Sequence, residues 1–354
     1  LAAATKEQGT SAPNERAYAT NLAIGAYRMK ARPIVAVLAC AALLSLPGCR
    51  GGESREQAGE TAAAFTIAVI PKGTTHAFWK SVEKGVRQAG EELGVKVIWK
   101  GPLKENDRAS QISIVQDFVA QSVDAIVLAP LDATALKGHV DAAMGKGIPV
   151  VIFDSALDGE PGKDYVSLVA TDNYQGGRMG GDRLAELLAG TGKVVLLRYE
   201  EGSASTMERE HGFLDVMAEN PGIEVIVKNR YGGVTPEESQ RASQNILDKL
   251  QQADGVFCPN ESTTYGMLLA LQSHNLAGKL RFVGFDASTP LVEGLRAGDI
   301  DALVVQNPVR MGYVAVKTAV QHLNGESVES VIDTGAALVT KNNMDEPEIA
   351  GLLE

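Results

Sequence analysis

The chain has 354 residues, 45% of them hydrophobic and 22% charged, which is ordinary for a globular protein and long enough for two domains. Its net charge of −11, with no basic stripe, excludes a general nucleic-acid binder. Cysteines stand only at 40, 49 and 258, so there is no disulfide framework; Cys258, in an apolar run, reads as a buried free thiol rather than a nucleophile.

Residues 1–28 carry no apolar periodicity, and translation is expected to start at Met29. The basic stretch Met29 to Pro33, the apolar run Ile34 to Leu46 and the small residues that follow are the parts of a secretory signal. That run is short of the roughly 20 apolar residues a membrane span needs. Leu46-Pro47-Gly48-Cys49 looks like a bacterial lipobox, with Cys49 as the lipidated first residue; an ordinary secretory cut nearby is the alternative. The expected organisation is therefore a leader and signal over 1–48 and a flexible tether over 49–64. The leader carries five basic and two acidic residues, so the remainder stands at −14.

From Phe65 the chain alternates strands and helices. Phe65 to Ile70 is a strand, His76 ends a loop, and a helix runs from Ala77 to Leu93 with Val82, Val86 and Ala89 on one face. Val95 to Trp99, Ala125 to Ala129 and Ile148 to Phe153 are further strands with helices between them, and Val166 to Ala170 is another. A second series follows: strands from Lys193, Ile223, Val256, Arg281 and Ala302 to Val305, with Thr235-Pro236-Glu237-Glu238 as a capped helix start. Residues 331–340 read as extended. Short apolar runs alternating with helices predict buried parallel strands with right-handed crossovers.

Asp154, Asn260 and Asp286 each fall where such a run stops, and ligands of open α/β sheets bind at the carboxyl ends of the strands. Any one of them reads equally well as a helix cap or turn residue; three at equivalent ends favour a site. Carboxylates and amides suit a polyhydroxylated ligand, whose hydroxyls both donate and accept. Phe78, Trp79 and Phe285 could cover the C–H face of a ring, core packing being the alternative for each. Gly176-Gly177-Arg178-Met179-Gly180-Gly181 lacks the Gly-Lys-Ser/Thr ending of a phosphate loop and reads as packing glycines. No metal-ligand or acyl-transfer motif is present, so neither cofactor nor metal is expected. A glycosidase carboxylate pair made of Asp154 and Asp286 has nothing that marks either as a raised-pKa acid.

With these residues in place, the stretch from Phe65 to Thr340 resembles the ribose-binding-protein group of bacterial periplasmic binding proteins. The resemblance is carried by His76-Ala77-Phe78-Trp79, Asp154, Thr171-Asp172-Asn173 with Gly176-Gly177, Met207-Glu208-Arg209-Glu210, Asn260-Glu261, Gly284-Phe285-Asp286 and Gln306-Asn307-Pro308. It implies two doubly wound α/β lobes with parallel sheets, joined by a three-segment hinge near 171, 306 and 335. The first lobe would hold 65–170 and 307–334, the second 171–306 and 335–354. It further implies a ligand held by His76, Phe78, Trp79, Asp154, Thr171, Arg209, Asn260, Phe285, Asp286 and Gln306, with Glu200 in a loop that lines the pocket. Ser155 stands where the family carries a second ligand-binding Arg, and His76 where ribose binders carry Asn, so an amino sugar or polyol is as open as ribose.

The resemblance implies a monomeric substrate-binding lipoprotein of a sugar ABC importer, not an enzyme, at the periplasm or cell surface. It would touch the membrane through its lipid anchor and hand a sugar to permease transmembrane subunits. A sensor passing a sugar or furanose signal to a membrane receptor is the alternative. A repressor core would need a DNA-binding helix-turn-helix where the signal stands.

Overall fold

A computed structural model describes residues 65–353; the leader, Cys49 and the tether lie outside them. The first five strands are β1 (Thr66–Ile70), β2 (Lys96–Trp99), β3 (Ala125–Leu128), β4 (Val150–Phe153) and β5 (Ser167–Ala170). The next five are β6 (Gly192–Arg198), β7 (Ile223–Tyr231), β8 (Gly255–Phe257), β9 (Arg281–Phe285) and β10 (Ala302–Gln306). β11 (Val331–Asp333) and β12 (Ala336–Val339) come last. They form two six-stranded sheets, ordered β11-β5-β4-β3-β1-β2 and β12-β10-β9-β8-β6-β7. The two orders are the same plan used twice. Central strands such as β3 and β4 are buried along their whole length, which is why they read as unbroken apolar runs.

Each sheet is covered on both faces. In the first lobe Ile67, Val69 and Val127 face one apolar cluster, and Ala68, Ile70 and Ile126 face the other. This is the period-two alternation of a strand. The second lobe repeats it, with Val195 and Leu197 on one side and Val194 and Leu196 on the other. Cys258 is a free thiol buried in the first of these two clusters.

The chain passes between the sheets three times. After β5 it enters the helix Asn173–Leu187, whose N-cap Asp172 accepts from the Gln175 N–H. After β10 it enters the helix Pro308–Leu323, whose N-cap Asn307 accepts from the Arg310 N–H. After β11 it turns through Thr334 and Gly335 into β12. One expectation fails here, because β12 pairs antiparallel with β10. Ala336 lies opposite Gln306, so the returning chain arrives where β10 ends and can only run backwards along it. A link this short cannot carry the crossover a parallel partner needs. The extended stretch 331–340 is thus two strands, one in each sheet.

The two crossing helices are seated by reciprocal glycines. A Cβ on Gly177 would lie 2.0 Å from the Arg209 carbonyl oxygen, and one on Gly212 would lie 2.2 Å from that of Tyr174. In the first lobe a Cβ on Gly85 would run into the Val309 carbonyl, and one on Gly312 into that of Val82. Helix backbones touch directly at both crossings. The glycine stretch 176–181 packs one helix rather than holding a phosphate: Gly180 faces Phe257 of β8, and Gly181 faces Val216 of the neighbouring helix.

Candidate ligand-binding site

The site begins with two strained residues. Asp154 follows β4 and Asp286 follows β9, equivalent positions in the two lobes. Both take left-handed backbone angles, with φ of 62° and 69°. Asp tolerates this region better than most residues, and such strain collects at functional sites. The conformation is fixed from behind. The Asp154 N–H donates to the Val169 carbonyl at 3.0 Å, and the Asp286 N–H to the Val304 carbonyl at 2.8 Å. Each turn aims its carboxylate into a narrow cavity between the lobes, which also takes in Arg209, Asn260 and Gln306.

On the second lobe the polar wall is ordered by a relay from the crossings. Thr171 donates its hydroxyl to Gln306 Oε1 at 2.9 Å, and Gln306 Nε2 then donates to Asp286 Oδ1 at 2.7 Å. Asp286 Oδ2 accepts from the Glu261 N–H at 2.9 Å. Burial raises the Asp286 carboxyl to about 6, against the opposing pull of Arg209 and Gln306. Arg209 is 2% exposed. Its Nε donates to Asn173 Oδ1 at 2.8 Å and its Nη1 to the Pro259 carbonyl at 2.9 Å. Its guanidinium lies over the Phe285 ring, 4.0 Å from the centroid, a cation–π contact strengthened by desolvation. Nη2 makes no hydrogen bond among the described residues and remains able to donate.

The first lobe supplies an ionic network. Lys72, 3% exposed, lies 3.1 Å from Asp154 Oδ2 and donates across the cleft to Ser203 Oγ at 3.2 Å and Ser205 Oγ at 2.9 Å. These three partners match its three donors. Glu105 accepts from Trp79 Nε1 at 2.9 Å, pairs with His76 Nδ1 at 2.6 Å and accepts from the Tyr199 hydroxyl of the second lobe at 2.9 Å. Burial alone would lower the His76 pKa, but the charge and hydrogen bond of Glu105 override it and hold it up near 9. Burial would raise Glu105, yet His76 and Lys72 keep it down at about 2. The Phe78 N–H donates to Glu261 Oε2 at 3.1 Å, and the Ser205 N–H to Ser155 Oγ at 3.1 Å. The lobes are therefore held together by direct polar contacts around the cavity.

Of the residues singled out from sequence, His76, Phe78, Trp79, Asp154, Arg209, Asn260, Asp286 and Gln306 line this cavity. Three do not. Phe285 is fully buried: the turn at Asp286 sends that carboxylate to the cavity while Phe285 points into the lobe, where it supports Arg209 instead of stacking on a ligand. Thr171 stands at the crossing and acts through Gln306. Glu200 stays half-buried in its loop, its pKa raised by burial against Arg108; its neighbour Tyr199 points inward instead. Tyr199 is fixed there because its N–H donates to Glu210 Oε1 at 3.1 Å, while Glu210 also holds Arg198 at 2.5 Å. His76 and Trp79 line the cavity with His76 Nδ1 and Trp79 Nε1 engaged by Glu105.

Sequence reasoning missed Lys72, Glu105, Tyr199, Ser205, Thr206 and Glu261, which line the same cavity. Lys72 supplies the first-lobe cation whose loss the Ser155 position suggested. Among the described residues no cluster of three or more His, Cys, Asp or Glu side chains could hold a metal ion, and no helix is long and apolar enough to cross a membrane.

Two lobes of one topology, three chain crossings and a polar cleft between strand ends define a two-lobed α/β binding protein. Residues 67–327 match the family described as the periplasmic binding protein domain. The chain is 30% identical over 283 residues to the ribose import binding protein of Bacillus subtilis (strain 168), covering 78% of this chain and 88% of that protein. It is similar to the crystal structure of a carbohydrate transporter solute-binding protein from Agrobacterium radiobacter in complex with D-arabinose. That likeness has 37% identity and a TM-score of 0.78, and covers 82% of this chain and 99% of the other. A solute-binding protein of an ABC transporter from Agrobacterium vitis, with bound D-fucose, matches at 34% identity and a TM-score of 0.78, covering 82% and 100%. The chain belongs to the periplasmic binding protein family, in its ribose-binding-like branch, and is a binding protein rather than an enzyme.

Proposed function

We propose that this protein is the substrate-binding component of a sugar ABC importer, closing its two lobes on one monosaccharide-like ligand and presenting the closed form to permease subunits. Convergence of Asp154, Asn260 and Asp286, each at the end of a strand run, and of Arg209 from within the helix Ala204–Glu219 on one cavity carries this reading. The aspartates accept from hydroxyls, and Arg209 and Asn260 donate to them. Phe78 offers an apolar face beside them. A ligand that bonds both lobes favours the closed form only as far as it binds that form better. The relatives whose names and complexes specify ribose, D-arabinose and D-fucose support the sugar class. The lipobox-like stretch supports an anchor through lipid at Cys49, in the periplasm or at the cell surface.

Thermal unfolding of the chain from Glu53 onward, against pentoses, hexoses, amino sugars, polyols and nucleosides, tests the ligand class. A ligand at a hundred times its dissociation constant adds about 2.7 kcal/mol of stability. At least one sugar or polyol is expected to raise the midpoint clearly; a flat response across the panel, or a rise with nucleosides alone, overturns the sugar reading. Fatty-acid labelling of cells making the full chain, lost in Cys49→Ala, tests the anchor.

A further inference from the structure

Beyond Phe78 and Glu261 lies a second cavity of about 120 Å³, also between the lobes. It shares Phe78, Glu261, Asp286 and Gln306 with the first, so it is an extension of that site. Ser288 lines it, 7% exposed, and its Oγ has no hydrogen-bond partner among the described residues. Although Ser288 is the N-cap of the helix Thr289–Ala297, its side chain does not cap that helix. Buried hydroxyls are normally paired; the Ser288 Oγ is itself sealed from the cavity in this arrangement, and it reaches the cavity when the side chain turns about χ1. Glu261 points to the same space. Its Oε2 accepts from the Phe78 N–H, while Oε1 makes no hydrogen bond among the described residues.

The opposite end of the cleft is closed. There Lys72, His76, Glu105 and Tyr199 are engaged with one another, with Asp154 and with Ser203 and Ser205. A ligand hydroxyl on that side would have to break an existing ionic contact, so a ligand can lengthen in one direction only.

We propose that the cavity beside Ser288 is a second subsite, which takes a neutral hydroxylated extension of the bound sugar: a glycosidic substituent or a second ring. This rests on the sugar reading of the first cavity. The chemistry of the walls sets the class. No Lys or Arg lines the cavity, and the Glu261 and Asp286 carboxylates repel an anion. The N-terminal ends of the helices Ala77–Leu93 and Thr289–Ala297 open onto it, which disfavours a cation. Phe78, Val305, Leu352 and Leu353 provide apolar surface for C–H faces, Glu261 Oε1 provides an acceptor for the extension, and Ser288 adds a hydroxyl once its side chain has turned.

The test is titration calorimetry of the chain from Glu53 with D-ribose, D-arabinose, D-galactose and D-glucose, and with the methyl glycosides and disaccharides of each. Two variants accompany it. Ser81→Leu narrows the cavity on a helix that accepts Leu, losing only the bond from Ser81 Oγ to the Ala77 carbonyl; Ser288→Ala removes the unpaired hydroxyl. At least one glycoside or disaccharide is expected to bind as tightly as its parent sugar. Ser81→Leu should weaken it at least tenfold while moving the parent less than threefold, and Ser288→Ala should shift the same ratio in the same direction. Binding of parent sugars with exclusion of every extended form overturns the subsite and leaves the sugar reading in place. Equal loss for both forms in Ser81→Leu overturns it too. If neither series binds, the subsite falls, and the wider thermal panel decides the sugar reading separately.

Discussion

Asp286 is the residue on which most of the second-lobe wall converges. Replacing it with Ala leaves Gln306 Nε2, the Glu261 N–H and the Arg209 charge without their carboxylate. Ligand affinity in Asp286→Ala is expected to fall by roughly 2–5 kcal/mol, measured by titration calorimetry; unchanged affinity would remove Asp286 from the site. The raised pKa of about 6 sets a direction for pH. The folded state takes up this proton more readily than the unfolded chain, so this group makes stability rise as pH falls from about 6 toward its ordinary 3.8. Binding runs the other way, because a protonated Asp286 accepts less well, and affinity should weaken below about pH 6. His76 acts on the alkaline side. Its pKa is raised from 6.5 to about 9, so its contribution to stability is complete below 6.5 and is lost as pH rises through 9. Glu105, lowered from 4.5 to about 2, contributes fully above 4.5 and loses that contribution as pH falls through 2. Thermal melts of wild type and His76→Gln between pH 6 and 9.5 should converge as pH rises. Parallel curves would show that the His76–Glu105 pair carries no stability.

At the level of elements, the helix crossings place the site. Arg209 reaches Asn173 and Pro259 because Gly177 lets its helix sit against the Arg209 backbone. Gly177→Ala puts a Cβ into that carbonyl and is expected to cost about 1–3 kcal/mol in urea unfolding, and to weaken ligand binding because Arg209 must move. A loss of stability without loss of affinity would separate the crossing from the site. Much of this layer could be read in the residues. Apolar runs gave the strands, Asp172 and Asn307 fell beside the crossings, and the glycine stretch read as packing. Asp154, Asn260 and Asp286 were visible because each ends an apolar run. Lys72 and Tyr199 obey the same rule, standing just beyond β1 and β6, and Glu105 lies six residues past β2, yet their segments looked like ordinary loops. Their role depends on pairing across the cleft, which no local pattern encodes. Phe285 misled for a related reason: whether it or Asp286 faces the ligand depends on one left-handed turn. The direction of β12 was hidden as well, since it depends on where the chain arrives and not on what the strand contains.

At the level of the whole molecule, closure rests on contacts such as the Tyr199 hydroxyl on Glu105, which join protein to protein. Tyr199→Phe removes one bond to a charged acceptor. It should raise the ligand concentration needed for closure by the equivalent of about 1.5–3 kcal/mol, followed as the fall in radius of gyration in solution scattering. A ligand response identical to wild type would mean that Tyr199 does not hold the lobes. The crossings also bear on the order in which the molecule can be made. Met311, Ala315, Val316 and Ala319, all from the helix that follows β10, belong to the same cluster as Ile67 and Val69 of β1, and β11 completes the first sheet. During synthesis the face of the first lobe that carries Ile67 and Val69 therefore has only the helix Ala77–Leu93 over it until the helix Pro308–Leu323 has left the ribosome. Were the proposed secretory signal to deliver the chain to an export channel before that point, the first lobe would still be unfinished, and the order of the chain itself would help to keep it threadable.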